Sequence, residues 1–91
     1  MNRAEILDTA KTYVTADRNA THGEAENSLG GIARLWSAYL EREIKPHEVA
    51  AMMALLKIAR IKLNPHHLDS WTDIAGYAAC GGELAGGLTQ G

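Results

Sequence analysis

The stretch "PHEVAAMMALLKIARIKL", Pro46 to Leu63, is apolar almost all the way round once it is coiled into a helix. Proline suits a first helical turn, where its missing N–H costs nothing. The dipeptide Asn64-Pro65 stops the helix. Met52, Leu55, Leu56, Ala59 and Leu63 make one stripe, while Val49, Met53, Ile58 and Ile61 lie elsewhere around the barrel. Such a helix must be covered on more than one side. One small protomer does not easily supply that cover. The expectation is therefore an all-α fold, a small four-helix bundle completed by homo-oligomerisation.

The rest of the chain supplies three further helices. The first is predicted from Arg3 to Val14, with Asn2 as N-cap and Glu5 in capping-box register. The second starts after Thr21, whose spacing to Glu24 repeats the cap signature, and runs to about Glu41. Leu29, Ile32, Ala33, Trp36, Tyr39 and Leu40 form its apolar stripe. Gly30-Gly31 inside it predicts a kink or a close neighbour. The fourth runs from about His67 to Cys80 or Leu84, with Trp71, Ala75 and Ala78 on one side and Gly76, Tyr77 and Cys80 on another. Residues 1–85 read as one helical domain and 86–91 as a glycine-rich tail.

Bulk properties narrow the function. The chain has 91 residues, a formal net charge of −2 and a pI near 6.0. That balance has no basic field, so binding to DNA or RNA is not expected. A single cysteine, Cys80, excludes an internal disulfide and suits a reducing compartment; a buried, inert thiol is its expected state. No signal-peptide core or membrane-length apolar run is present, which predicts a cytoplasmic protein.

Four groups of polar residues carry candidate chemistry. Asp69 and Asp73 are four apart and share a helix face with Gly76, Tyr77 and Cys80. Paired acids on a small, apolar face need a cation, a proton or donors between them, and magnesium favours carboxylate oxygens. In the segment "DRNATHGEAEN", Asp17 to Asn27, Glu24 reads as a cap and Glu26 points to the edge of the apolar stripe, with Asn27 further round. Arg18 and His22 precede a helix N-terminus, where an anion is favoured. Lys57 and Arg60 are neighbours on the third helix, set to pair with Asp69 or Asp73 or to meet phosphate. His66-His67 diverge by about 100° on a helix and make a poor zinc pair.

The order Arg18, His22-Gly23, Glu26-Asn27, Ile32-Ala33 and Trp36, then "EVAAMMALLKIAR", then "HHLDSWTDIAGYAACGGELA", resembles a group of small phage and prophage proteins of unknown function. The likeness covers Asp17 to Ala85. More loosely, the chain is similar to the MazG-like all-α nucleotide pyrophosphohydrolases, which hold magnesium with acids from two helices. That second resemblance implies that Asp73 is the metal-binding aspartate of the last core helix, with Glu26 or Glu48 standing in for the other acids; together with the polar groups above, the expected metal site is Glu26, Asp69 and Asp73 and the expected phosphate contacts are Arg18, His22, Asn27, Lys57 and Arg60. The paired E-x-x-E of those enzymes has no counterpart here: Glu24 and Glu26 are two apart, as are Glu41 and Glu43. Three functions follow as expectations: a magnesium-dependent nucleotide phosphoanhydride hydrolase, a non-catalytic nucleotide-binding protein, or a phage accessory that binds another protein.

Overall fold

Four α-helices, with no strand among the described residues, build the chain: α1 (Arg3–Thr12), α2 (Ala25–Leu40), α3 (Pro46–Leu63) and α4 (Leu68–Gly86). This computed structural model describes residues 1–17 and 25–87; the side chains of 16, 17 and 25–27 fall outside that description. The expected cap signature of Thr21 and Glu24 lies outside the described residues.

Local chemistry sets the helix ends. Asn2 Oδ1 accepts from the Glu5 N–H at 2.8 Å and Glu5 Oε1 accepts from the Asn2 N–H at 3.0 Å, the reciprocal box expected from the spacing. After Thr12 the chain widens into a π-helical stretch, Tyr13–Asp17, where a plain helix to Val14 was expected. The threonine hydroxyls of Thr9, Thr12 and Thr15 each donate to the carbonyl four residues back. Such back-bonding competes with the helical ladder and loosens it. Helix α2 ends at Leu40, one residue early, because Glu41 takes a left-handed conformation with φ 55°. Ser37 then pins the loop, donating to the Ile44 carbonyl and accepting from the Ile44 N–H. Trp71 Nε1 donates to the Pro65 carbonyl at 3.0 Å and closes the turn between α3 and α4.

Helices α3 and α4 pack against each other, with α2 on α3 and α1 on α4. Leu29, Ala33, Val49, Ala50 and Cys80 form the buried core, with Met53, Trp36 and Tyr77 packed against it. The glycines of α4 explain its close approach to its neighbours. A Cβ at Gly81 would lie 3.0 Å from the Ala50 Cβ, and one at Gly76 would lie 3.1 Å from Val14 Cγ1. Gly82 instead faces outward, and a Cβ there would meet no heavy atom within 4 Å. Gly82→Ala is therefore expected to stabilise the fold by about 0.5–1 kcal/mol through helix propensity alone, read as a higher urea midpoint at unchanged slope. Helix α4 runs through these glycines to Gly86, past the Leu84 limit expected from the sequence. Helix α2 passes through Gly30-Gly31 as one helix, and a Cβ at either would touch nothing among the described residues.

Helix α3 is not covered on every side within the protomer: of its Met52–Leu63 stripe, Leu55, Leu56 and Leu63 are exposed, as is Ala59. The inward residues are Val49 and Ala50, with Met53 and Lys57 half-buried. Tyr39 and Leu40 of the α2 stripe also lie outside, beyond the reach of the core. The physical reason is the single layer of cover: among the described residues α2 and α4 pack on α3 and leave its far side exposed.

Candidate functional site

The face of α4 that carries Thr72, Asp73, Gly76, Tyr77 and Cys80 closes a cleft against Tyr13 and Val14 from the end of α1 and Ser28 and Leu29 from α2. The cleft is open to solvent, and its enclosed space is small, about 20 Å³, room for about one water molecule. The absence of a side chain at Gly76 lets Val14 approach the helix. The π-helical widening begins at Tyr13, so two successive residues, Tyr13 and Val14, both reach the cleft. π-Helical turns recur at functional sites for this reason.

Asp73 is the charged residue of the lining. Its Oδ2 lies 2.9 Å from Lys57 Nζ, and the side chains of Lys57 and Asp73 are only 14% and 16% exposed. The pair ties α3 to α4 beneath the cleft. Asp69, one turn earlier, is exposed, and its Oδ1 accepts from the Tyr13 hydroxyl at a long 3.3 Å. Tyr13 thus touches Asp69 and shares the cleft lining with Asp73. The buried hydroxyls nearby are satisfied within the fold. Thr72 Oγ1 donates to the Leu68 carbonyl, and Ser70 Oγ lies 2.8 Å from His67 Nδ1.

The other expected residues separate into groups. Lys57 pairs with Asp73, one of the two acids expected for it. Arg60 is exposed and makes no ion pair among the described residues. Glu48 accepts from the Lys45 N–H at 2.9 Å and caps α3. Arg18 and His22 lie outside the described residues, as do the side chains of Glu26 and Asn27. The backbone of Glu26 and Asn27 belongs to the first turn of α2, just ahead of the cleft residue Ser28. Among the described residues no group of three or more His, Cys, Asp or Glu side chains is gathered for a metal. His66 and His67 are at the turn, His67 turned to Ser70. Cys80 is buried and outside any disulfide among the described residues. Tyr13 and Ser28 carried no expected role, and Tyr77 was expected only as a neighbour on the helix face of the aspartates; their place in the cleft lining marks all three.

A family model described as a domain of unknown function, DUF6378, matches residues 5–85. The chain belongs to this DUF6378 family. It is also 45% identical over 75 residues to the Gene 55 protein of Mycobacterium phage D29, across 82% of this chain and 50% of that protein. Its likeness to the Gene 55 protein of Mycobacterium phage L5 is 46% over 74 residues, across 80% of this chain and 47% of that one. The chain spans about half the length of these curated relatives. No solved structure matches it significantly. The resemblance to small phage proteins of unknown function is thereby borne out, and the DUF6378 chain is a phage-type protein. No helix among its described residues is long and apolar enough to cross a membrane.

Proposed function

We propose that this DUF6378 protein binds a nucleotide without cleaving it, with the edge of the base set against the mouth of the cleft between α1, α2 and α4. The observation that carries the reading is Asp73, a largely buried carboxylate that lines a cleft flanked by two tyrosines. A planar base offers N–H donors to a carboxylate and an aromatic face to Tyr13 or Tyr77. The apolar remainder of the lining, Val14, Leu29 and Cys80, suits a ring rather than a charged phosphate. The phosphates then extend from the cleft, with Arg18, His22, Asn27 and Arg60 as their candidate contacts. In this reading the working protein is a homo-oligomer in the host cytoplasm, which would cover the side of α3 that is exposed among the described residues.

A second reading is favoured by the Tyr13–Asp69 contact, which brings a second acid to the mouth of the same cleft. Asp69 and Asp73, joined by Glu26 from the start of α2, would hold Mg2+ for a MazG-like hydrolysis of a phosphoanhydride. The ion would neutralise charge on the phosphates. Lys57 would have to leave Asp73 to meet a phosphate, which costs the pair at 2.9 Å.

Thermal unfolding with a panel of nucleotides, with magnesium or with chelator, separates the readings. At about 100 times Kd a ligand adds about 2.7 kcal/mol, a rise of roughly 10–20 °C for a domain this small. The proposal expects that rise in chelator, with no product formed, and expects Asp73→Asn to lose it. A magnesium-dependent rise with pyrophosphate release moves the conclusion to the hydrolase. No rise with any nucleotide sinks both and leaves a protein partner as the function.

A further inference from the structure

The way Asp73 is held restricts what it can recognise. Lys57 Nζ meets its Oδ2 at 2.9 Å. That ammonium comes from α3, and among the described residues α3 lends nothing to the cleft lining. The cation therefore supports the carboxylate from outside the cleft. A carboxylate only accepts, with about four lone-pair sites on its two oxygens. Oδ2 can hold Lys57 and a second donor, and Oδ1 can hold a third.

The size of the cleft decides how a base is read there. Its enclosed space of about 20 Å³ takes about one water and no ring. A base therefore meets Asp73 edge-on, and selection depends on the order of donors and acceptors along that edge. The hydroxyls beside the carboxylate do not reverse its character: Thr72 donates to the Leu68 carbonyl and Tyr13 donates to Asp69. A base acceptor set against Asp73 would face lone pair to lone pair. The matching edge carries two neighbouring donors with no acceptor between them.

Among the common bases only guanine has such an edge, with N1–H beside the N2 amino group. The amino group of adenine lies between the acceptors N1 and N7, and that of cytosine lies beside the acceptor N3. The N3–H of uracil or thymine lies between two carbonyls. We infer that the base selected at this cleft is guanine, its N1–H and N2 amino group donating to the two oxygens of Asp73. Paired bonds to an ionised acceptor are strong and geometrically specific. The inference rests on the nucleotide-binding reading and gives it a ligand class, guanine nucleotides.

Titration calorimetry of the full chain with GTP, ITP and ATP, in chelator, tests it. The three ligands carry the same ribose and phosphates, so contacts to those groups cancel in the comparison. ITP keeps N1–H and lacks the amino group, while ATP places an acceptor at N1. GTP is expected to bind roughly ten- to a hundredfold more tightly than ITP, the loss of one hydrogen bond to a charged group. ATP is expected to bind no more tightly than ITP. In Asp73→Asn the amide turns one acceptor into a donor, and GTP should lose its lead; the wild-type comparison decides the matter even where that variant unfolds. ITP or ATP binding as tightly as GTP overturns the guanine assignment and leaves nucleotide binding standing. No binding of any of the three at millimolar concentration overturns both.

Discussion

Replacing Asp73 with alanine is expected to destabilise the protein by about 2–3 kcal/mol. The substitution strands the Lys57 ammonium, whose side chain is 14% exposed, against apolar neighbours. Breaking a fully buried pair by removing one partner costs about 3–5 kcal/mol; the residual exposure and the adjoining cleft lower that figure. Lys57→Met is expected to cost less, about 1–2 kcal/mol, because the methionine keeps the packing of the stem and the abandoned carboxylate borders the cleft. The double variant Lys57→Met/Asp73→Leu should recover most of the loss, since no charge is left unpaired. Urea unfolding of the four proteins closes the cycle and gives the coupling directly. Asp73→Ala within 0.5 kcal/mol of wild type would mean that the pair does not hold α3 to α4.

Gly81→Val should cost about 2–3 kcal/mol. A Cβ alone at this position would stand 3.0 Å from the Ala50 Cβ and 3.8 Å from the His47 carbonyl oxygen. Valine adds two further carbons to that contact. The Ala50 side has no flexible end to yield, so α3 and α4 must separate, and overpacking of this kind costs about 1–3 kcal/mol. The separation also pulls Lys57 from Asp73, which places the expected loss at the upper end. Gly81→Ala on an Ala50→Gly background should relieve the clash and restore most of the stability. A thermal midpoint for Gly81→Val equal to that of wild type would contradict the close approach of the two helices.

These two sites show what could be read from the residues alone. Asp73 stood out because a carboxylate on a face of Gly76, Tyr77 and Cys80 needs a partner, and Lys57 on the neighbouring helix was a named candidate for it. The helix bounds of α3 followed from Pro46 and Asn64-Pro65, and the start of α1 from Asn2 and Glu5. Those signals are local: a cap or a breaker acts within one turn. The orientation of α3 was not legible. With apolar residues on nearly every side, the Met52–Leu63 stripe and the Val49–Met53 side were equally good candidates for the core, and only the positions of α2 and α4 select the latter. The close approach at Gly81 was not legible, because nothing in "CGGELAGG" reveals that one of its glycines meets Ala50 on another helix. The cleft was half legible for the same reason. Its α4 wall is a periodic face of one helix, whereas Tyr13 arrives through a π-helical widening that helical periodicity does not encode. Glu26, the residue singled out in the Asp17–Asn27 segment, has its backbone in the first turn of α2. Its expected approach to Asp69 or Asp73 lies outside the described side chains.

Amide chemical-shift mapping during a nucleotide titration, run in chelator, tests the proposed binding most directly. Saturable shifts centred on Tyr13, Ser28, Thr72, Gly76 and Tyr77 are the predicted result, lost in Asp73→Asn under conditions where that variant remains folded. No shift at millimolar nucleotide, or shifts confined to the far side of α3, would contradict it.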